Sequence, residues 1–349
     1  MNPYILALLL FALGLGTTLT FASSHWLLAW MGLEINTLAI IPLMTQHHHP
    51  RAVEATTKYF LTQATAAATL LFASVTNAWI TGQWDIHLME HPVPTTMIVL
   101  ALALKLGLAP LHTWLPEVLQ GLNLTTGLIL STWQKLAPFA LLLQIPLQNH
   151  TILVAIALTS TLVGGWGGLN QTQLRKILAY SSIAHLGWMI LIVQFFPSLT
   201  LLALSMYLIM TSTAFLTLKS NGTTTINTLA TSWAKAPVIT ACFPMVLLSL
   251  GGLPPLSGFL PKWMILHELT KQSLPLTATI AALTALLSLY FYLRLSYALS
   301  LTVSPNTLAN TTPWRCSPLQ STAPLAVAAM GSTLLLPLAP ALNALFTIS

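Results

Sequence analysis

Eleven apolar runs, each long enough to cross a lipid bilayer, follow one another along the chain and leave little sequence between them. A transmembrane helix needs about 20 mostly apolar residues. Only 5% of the residues are charged, which is too few to cover a water-facing surface. The sequence therefore predicts an all-α polytopic membrane protein with no soluble catalytic domain. The runs cover 3–21, 25–44, 56–80, 93–121, 124–145, 150–170, 174–195, 199–219, 238–270, 275–301 and 323–346.

The charges between the runs predict an orientation. Most Lys and Arg residues fall in loops on the side of the N-terminus, and the acidic residues Asp85, Glu90 and Glu268 fall on the other side. Positive loops stay on the side where a membrane protein is synthesised. The net charge of +6 is too sparse to indicate a nucleic-acid partner. Two cysteines, Cys242 and Cys316, form no CxxC motif, so neither a disulfide framework nor an iron–sulfur cluster is predicted.

Two runs, 93–121 and 238–270, are too long to be single spans. As one helix, the first would extend about 44 Å at 1.5 Å per residue, against a hydrocarbon core of about 30 Å. Each run contains Gly and Pro near its middle. We expect two half-helices joined by an unwound segment that faces protein or internal water, because lipid cannot satisfy free backbone groups.

The two breaks also repeat in sequence. GLAPLHTWLP at 107–116 aligns without gaps on GLPPLSGFLP at 252–261, with six identical residues. The two segments lie five spans apart, so the second five-span unit is predicted to be inverted, as in transporters whose working sites lie near the bilayer midplane. We predict one unit at 1–145, a second at 146–301, each with a discontinuous fourth helix, and a loop plus a C-terminal helix at 302–349.

Four ionisable residues lie deep within spans: Glu34, Lys105, Lys135 and Lys262. Each costs roughly 2.5–3.5 kcal/mol at the bilayer centre. Burial favours the neutral form of a lysine, and a nearby carboxylate favours the charged form. Glu34 is the only deep carboxylate in the sequence, and the break beside Lys105 offers free carbonyls and space for water. The arrangement predicts proton loading and release, while snorkelling lysines or structural ion pairs remain open alternatives.

Two histidines accompany these charges. His112 lies just beyond the first break and His185 lies in the middle of a span. Each is a candidate proton relay, and each could equally be a hydrogen-bonded core histidine. No pattern specifies a haem or metal site, and neither GxGxxG nor a Walker A motif occurs, so no nucleotide site is predicted.

Three stretches carry a family resemblance. KLGLAPLHTWLPEVLQG at 105–121 resembles the signature of the antiporter-like membrane subunits of respiratory complex I. LRKILAYSSIAHLGWM at 174–189 and LSLGGLPPLSGFLPKW at 248–263 resemble its vertebrate mitochondrial subunit 2 branch. The resemblance covers essentially the whole chain. It implies proton movement from matrix to intermembrane space, coupled to electron transfer from NADH to ubiquinone in other subunits.

The resemblance also implies roles for individual residues. Glu34 matches a glutamate that pairs with the lysine of the first broken helix, which is Lys105 here. Lys135 matches a central lysine, and Lys262 matches the lysine of the second broken helix. His112 matches a histidine beside the first break, and His185 matches a polar position along the central hydrophilic axis. The second unit lacks an evident counterpart of Glu34.

By the same resemblance, this chain carries no cofactor, and NADH, FMN, iron–sulfur clusters and ubiquinone belong to other subunits. Its expected partners are other membrane-arm subunits and lipids in an obligate hetero-oligomer, with no nucleic acid. The implied location is the mitochondrial inner membrane, with the N-terminus in the matrix and the C-terminus in the intermembrane space. Two other functions stay open: a stand-alone cation/proton antiporter and a purely structural scaffold of the membrane arm.

Overall fold

Fourteen α-helices make up most of the part of the chain that the structure, a computed structural model, describes. That part comprises residues 2–46, 48–89, 91–146, 150–234, 236–301 and 322–338, together with Ala341 and Ala344. The all-α prediction is confirmed. The predicted loop at 302–322 lies, except for Thr322, outside the described residues, as do Glu90 and Cys316. The helices are α1 (Pro3–Ala22), α2 (Trp26–Met44), α3 (Pro50–Thr81), α4 (Pro92–Leu106), α5 (Trp114–Gly121), α6 (Leu124–Gln144), α7 (His150–Gly168), α8 (Leu174–Val193), α9 (Pro197–Asn221), α10 (Ile226–Ala230), α11 (Pro237–Gly251), α12 (Phe259–Lys271), α13 (Pro275–Ser300) and α14 (Ala323–Leu334).

Seven of these helices are long and apolar enough to cross a membrane: α1, α2, α3, α7, α8, α9 and α13. The two runs predicted to be discontinuous are each divided, the first into α4 and α5 and the second into α11 and α12. The prediction of two broken helices is therefore confirmed. The helices break for a local reason, because each break contains glycine and proline residues that end a helix.

Both first half-helices end in the same backbone motif. Gly107 follows α4 with φ 78° and ψ 43°, and Gly252 follows α11 with φ 81° and ψ 43°. This left-handed conformation favours glycine because any Cβ would be strained there. The leucine after each glycine closes the motif with a bond back to the last helical turn, as in a Schellman cap. These bonds run from Leu108 N–H to Ala103 O (2.9 Å) and from Leu253 N–H to Leu248 O (3.3 Å).

Contacts between residues divide the chain into two compact units, Met1–Ile156 and Ala157–Ser349, with the boundary inside α7. Within the first unit, an antiparallel bridge joins His25, between α1 and α2, to Asp85, after α3. Within the second unit, a bridge of the same kind joins Gln173, between α7 and α8, to Thr225, after α9. Each unit thus makes the same local connection between equivalent loops. This likeness supports the predicted repeat, whose limits at 145 and 301 stay predictions.

Within each unit, the first two helices cross at a glycine. A Cβ on Gly16 would lie 2.5 Å from Oδ1 of Asn36 and 2.8 Å from the carbonyl oxygen of Gly32. A Cβ on Gly164 would lie 2.6 Å from the backbone nitrogen of Ala184. Gly164 and Ala184 each stand 148 positions after Gly16 and Asn36. The two crossings are therefore equivalent, and both depend on the absence of a side chain on α1 or α7.

We expect Gly16→Ala to destabilise the α1–α2 crossing by about 1–3 kcal/mol, because the new methyl group overlaps Asn36 and the Gly32 carbonyl. Gly14→Ala on the same helix is the matched control, since a Cβ there meets nothing within 4 Å. Thermal denaturation of the assembled complex measures both variants. A Gly16→Ala protein as stable as the Gly14→Ala protein would contradict this close approach.

Candidate proton-transfer site

A small cavity lies inside the first unit. Its volume is about 20 Å³, which is room for about one water molecule. Lys105 from α4 and Lys135 from α6 both line it, so two of the four predicted ionisable residues share one site. Five uncharged polar residues also line it: Asn36, Thr37, Tyr59, Gln63 and Gln134.

Lys105 is positioned by the end of α4. It lies in the last turn of that helix, two residues before Gly107, where the helix dipole favours a cation. The residue is 5% exposed, and no hydrogen-bond partner for its Nζ is found among the described residues. Its backbone is held from outside the helix, because Gln63 Nε2 lies 3.5 Å from the Lys105 carbonyl oxygen. The indole N–H of Trp114 donates to the Leu104 carbonyl at 3.0 Å.

Lys135 occupies a locally weakened part of α6. It is 3% exposed, and Pro138 lies inside the same helix and lines the same cavity. Proline has no N–H, so the carbonyl of Gln134 loses its usual helical partner. The side chain of Gln134 donates to the backbone carbonyl of Asn36 at 3.1 Å and so ties α6 to α2. The sequence QKLAP thus supplies a lysine, a side chain that ties α6 to α2, and a carbonyl without its usual helical donor.

Glu34 lies beside the cavity and does not line it. The hydroxyl of Thr37, which does line it, donates to Glu34 Oε2 at 3.3 Å. The other carboxylate oxygen, Oε1, is buried and has no hydrogen-bond partner within the described ranges. Glu34 is therefore linked to the cavity of Lys105 through Thr37, but no direct salt bridge joins Glu34 to Lys105 among the ion pairs of the described residues. The two residues predicted to pair therefore lie near the same cavity without a direct ion pair among the described residues.

His112 lies in the break between α4 and α5, where it is partly exposed. Its Nδ1 lies 3.2 Å from the carbonyl oxygen of Pro110. It does not line the cavity. Its role as a proton relay stays a prediction.

Lys262 holds the second break together. Its ammonium donates to the carbonyl of Gly251 at 2.8 Å and lies 3.4 Å from that of Leu250, so it caps the end of α11. Phe259 stands where the first break has Trp114, and phenylalanine has no N–H to donate. In the first unit the carbonyl of Lys105, which aligns with that of Leu250, accepts from Gln63. Trp114 bonds the carbonyl one residue earlier, at Leu104.

Lys262 and Lys105 do not occupy equivalent positions when the two breaks are aligned. Continued by one residue, it places Lys262 opposite Glu117, and continued backwards it places Lys105 opposite Leu250. Glu117 is exposed and forms a 2.8 Å ion pair with Lys58. The two lysines of the broken helices are therefore on different halves of their breaks. The proton-carrying role of Lys262 stays a prediction.

His185 lies in the core of the second unit, on α8. It is 9% exposed, and its ring centroid lies 5.6 Å from that of the buried Tyr207. The hydroxyl residues Ser181 and Ser182 are fully buried on the same helix. Ser182 stands 148 positions after Glu34, so the second unit has a hydroxyl where the first has a carboxylate. The relay role of His185 stays a prediction.

The amide side chains of the cavity were not predicted from the sequence, where only titratable residues were candidates. Asn36, Gln63 and Gln134 nevertheless each interrupt an apolar run in the same way. A buried amide needs hydrogen-bond partners, so a polar residue in mid-span is itself a signal. Reading the amides together with the lysines would have indicated the cavity.

Two family models match the chain. The model described as NADH:quinone oxidoreductase/Mrp antiporter matches residues 23–288. The model described as NADH dehydrogenase subunit 2 C-terminus matches residues 289–343. Together they account for nearly all of the chain from residue 23 onwards.

Similar proteins and solved structures agree with these matches. NADH-ubiquinone oxidoreductase chain 2 of Tetraodon nigroviridis is 73% identical, and that of Oncorhynchus mykiss is 71% identical, each over 100% of both chains. A chain in respiratory complex I from Thermus thermophilus with bound aureothin has a TM-score of 0.85 and 30% identity, covering 98% of this chain and 81% of its own. A chain of the Mrp complex from Dietzia sp. DQ12-45-1b shares the fold at a TM-score of 0.79 and 17% identity, with coverage of 97% and 76%.

Proposed function

Because the chain belongs to the NADH dehydrogenase subunit 2 family, we propose that it carries protons across the mitochondrial inner membrane. It is an antiporter-like membrane-arm subunit of NADH:ubiquinone oxidoreductase and assembles with other membrane-arm subunits. In this proposal the proton movement is coupled to electron transfer from NADH to ubiquinone, and other subunits hold NADH, FMN, the iron–sulfur clusters and ubiquinone. The N-terminus lies in the matrix and the C-terminus in the intermembrane space.

The observation that carries the proposal is the cavity shared by Lys105 and Lys135. Two ammonium groups on one small cavity repel each other, so one charge in the cavity is more favourable than two. When Lys105 is an ammonium and Lys135 an amine, one water between them can accept a proton from the first and give one to the second. One proton then moves across the cavity, and the charge of the unit does not change.

Glu34 is the group that selects between the two lysines. Its carboxylate accepts from Thr37, which lines the same cavity as Lys105, and it forms no direct salt bridge with Lys105 among the described residues. Any movement of the carboxylate towards or away from Lys105 changes which lysine holds the proton more favourably. The coupling of this pair to events elsewhere in the complex would act through that separation.

The scaffold alternative has one observation in its favour, at Lys262. Lys262 bonds two carbonyls at the end of α11 and so stabilises the break. Lys105 differs, because its Nζ has no hydrogen-bond partner within the part of the chain that the structure describes. We therefore assign proton transfer first to the cavity of the first unit.

Lys135→Met in the intact complex of a genetically tractable relative tests the proposal. We expect proton pumping coupled to NADH oxidation to fall on the order of tenfold or more, because the acceptor of the transferred proton is lost. Lys58→Met is the matched control, since Lys58 is an exposed lysine paired with Glu54 and Glu117. Vesicles containing the purified complex report protons moved per NADH oxidised.

Each alternative function predicts a different observation. The scaffold predicts that Lys135→Met lowers the stability of the complex and leaves the number of protons per NADH unchanged. A stand-alone antiporter predicts cation/proton exchange by the isolated chain in vesicles without its partners. Either result would contradict the proposal.

A further inference from the structure

Asn36 places a buried amide at the wall of the cavity. The residue is 2% exposed, lines the cavity, and has no hydrogen-bond partner for either Nδ2 or Oδ1 among the described residues. Its backbone carbonyl, in contrast, accepts a bond from Gln134. Buried side-chain amides are nearly always bonded to protein or to ordered water. The side chain of Asn36 therefore indicates a small polar ligand inside the first unit.

A glycine makes room for the amide, and two lysines line the same cavity. Gly16 on α1 is close enough that a Cβ there would meet Oδ1 at 2.5 Å and Cγ at 2.9 Å. The absent side chain of Gly16 is thus what allows an amide at this crossing. Lys105 and Lys135 line the same cavity. The Nζ of Lys105, which has no partner in the described part of the chain, is a second buried group that needs a polar ligand.

The size and charge of the cavity define that ligand. About 20 Å³ holds about one water, which needs two to four polar partners. Two lysines at the wall disfavour a metal cation. An amide also suits a site through which protons pass, because it donates and accepts hydrogen bonds and does not titrate. It can hold a water molecule before and after the proton has moved.

We propose that Asn36 is a positioning residue that holds one bridging water between Lys105 and Lys135. This inference rests on the proposed function and deepens it, because the water is the group through which the proton moves from one lysine to the other. The equivalent crossing in the second unit has Ala184 against Gly164. An alanine cannot hold a water in this way, so the device belongs to the first unit.

Asn36→Leu tests the water site, because leucine has the same branched arrangement of side-chain heavy atoms as asparagine and no polar atom. We expect proton-coupled NADH oxidation by the intact complex to slow about tenfold or more, with a larger solvent deuterium isotope effect than the unsubstituted protein shows. Asn36→Ser, which returns a hydroxyl, is expected to recover part of the rate. A merely structural role for Asn36 would leave the isotope effect unchanged.

If the leucine variant does not assemble, Asn36→Ala replaces it, because Ala184 shows that alanine fits this crossing. A normal rate and isotope effect in an assembled Asn36→Leu or Asn36→Ala complex would overturn the inference. Lys135→Met, measured in parallel, separates the two levels of the proposal. A slow Lys135→Met variant together with a normal Asn36 variant would contradict the water site alone. Normal rates in both variants would contradict the proposed function.

Discussion

Lys105→Met is expected to reduce proton pumping coupled to NADH oxidation on the order of tenfold or more while the complex still assembles. Methionine has a similar length and no charge, so it fills the buried position without a proton to give. The Nζ that it removes has no hydrogen-bond partner among the described residues, so no bond between Nζ and another described residue is lost. Proton uptake by vesicles and the rate of NADH oxidation measure the effect.

Lys105→Arg distinguishes a proton carrier from a structural cation at the same position. Arginine keeps the positive charge near Glu34 and does not release its proton in proteins. We therefore expect the arginine variant to assemble and to pump as poorly as the methionine variant. Restored pumping with arginine would show that only the charge of Lys105 matters, and would support the scaffold alternative.

Gly107→Ala is expected to lower the stability of the first unit strongly, because the added side chain meets α5 at the first break. The new Cβ would lie 2.8 Å from Cδ1 of Leu115 and 3.3 Å from the ring of Trp114, at a φ of +78°. Overpacking and a left-handed alanine together cost about 2–4 kcal/mol. Gly82→Ala is the matched control, because Gly82 has a φ of +73° and nothing within 4 Å of the added Cβ.

The comparison of these two glycines isolates packing from backbone strain. Both variants carry the conformational cost of an alanine with positive φ, about 1–2 kcal/mol. Only Gly107→Ala also pushes the two half-helices apart. Thermal denaturation and the yield of assembled complex should therefore fall further for Gly107→Ala. Equal losses in both variants would mean that α5 does not pack tightly on the break.

The helix breaks and the positions of the deep charges could be predicted from the sequence. The breaks were predictable because the length of a span, glycine and proline all act locally on the helix. The charges were predictable because so few occur in apolar runs. Lys105 and Lys135 were predicted separately, and the structure adds that they line one cavity.

Side-chain direction was not predictable in the same way. Lys262 lies three residues beyond the start of α12 and reaches back to the carbonyls that end α11. That reach depends on how the unwound segment between the two half-helices folds, which no spacing rule encodes. The position of Asn36 against Gly16 likewise depends on the crossing of two helices. Pairs of residues from different helices become neighbours only when the whole unit packs.

The central claim, that Lys105 and Lys135 act on one transferred proton, is tested most directly by a double-mutant cycle. Proton pumping per NADH would be measured in Lys105→Met, in Lys135→Met and in the double variant. When two residues serve the same step, removing the second adds no further loss. The double variant is therefore expected to pump no worse than either single variant. Losses in the double variant that equal the product of the two single losses would show independent roles and contradict the shared cavity as the site of transfer.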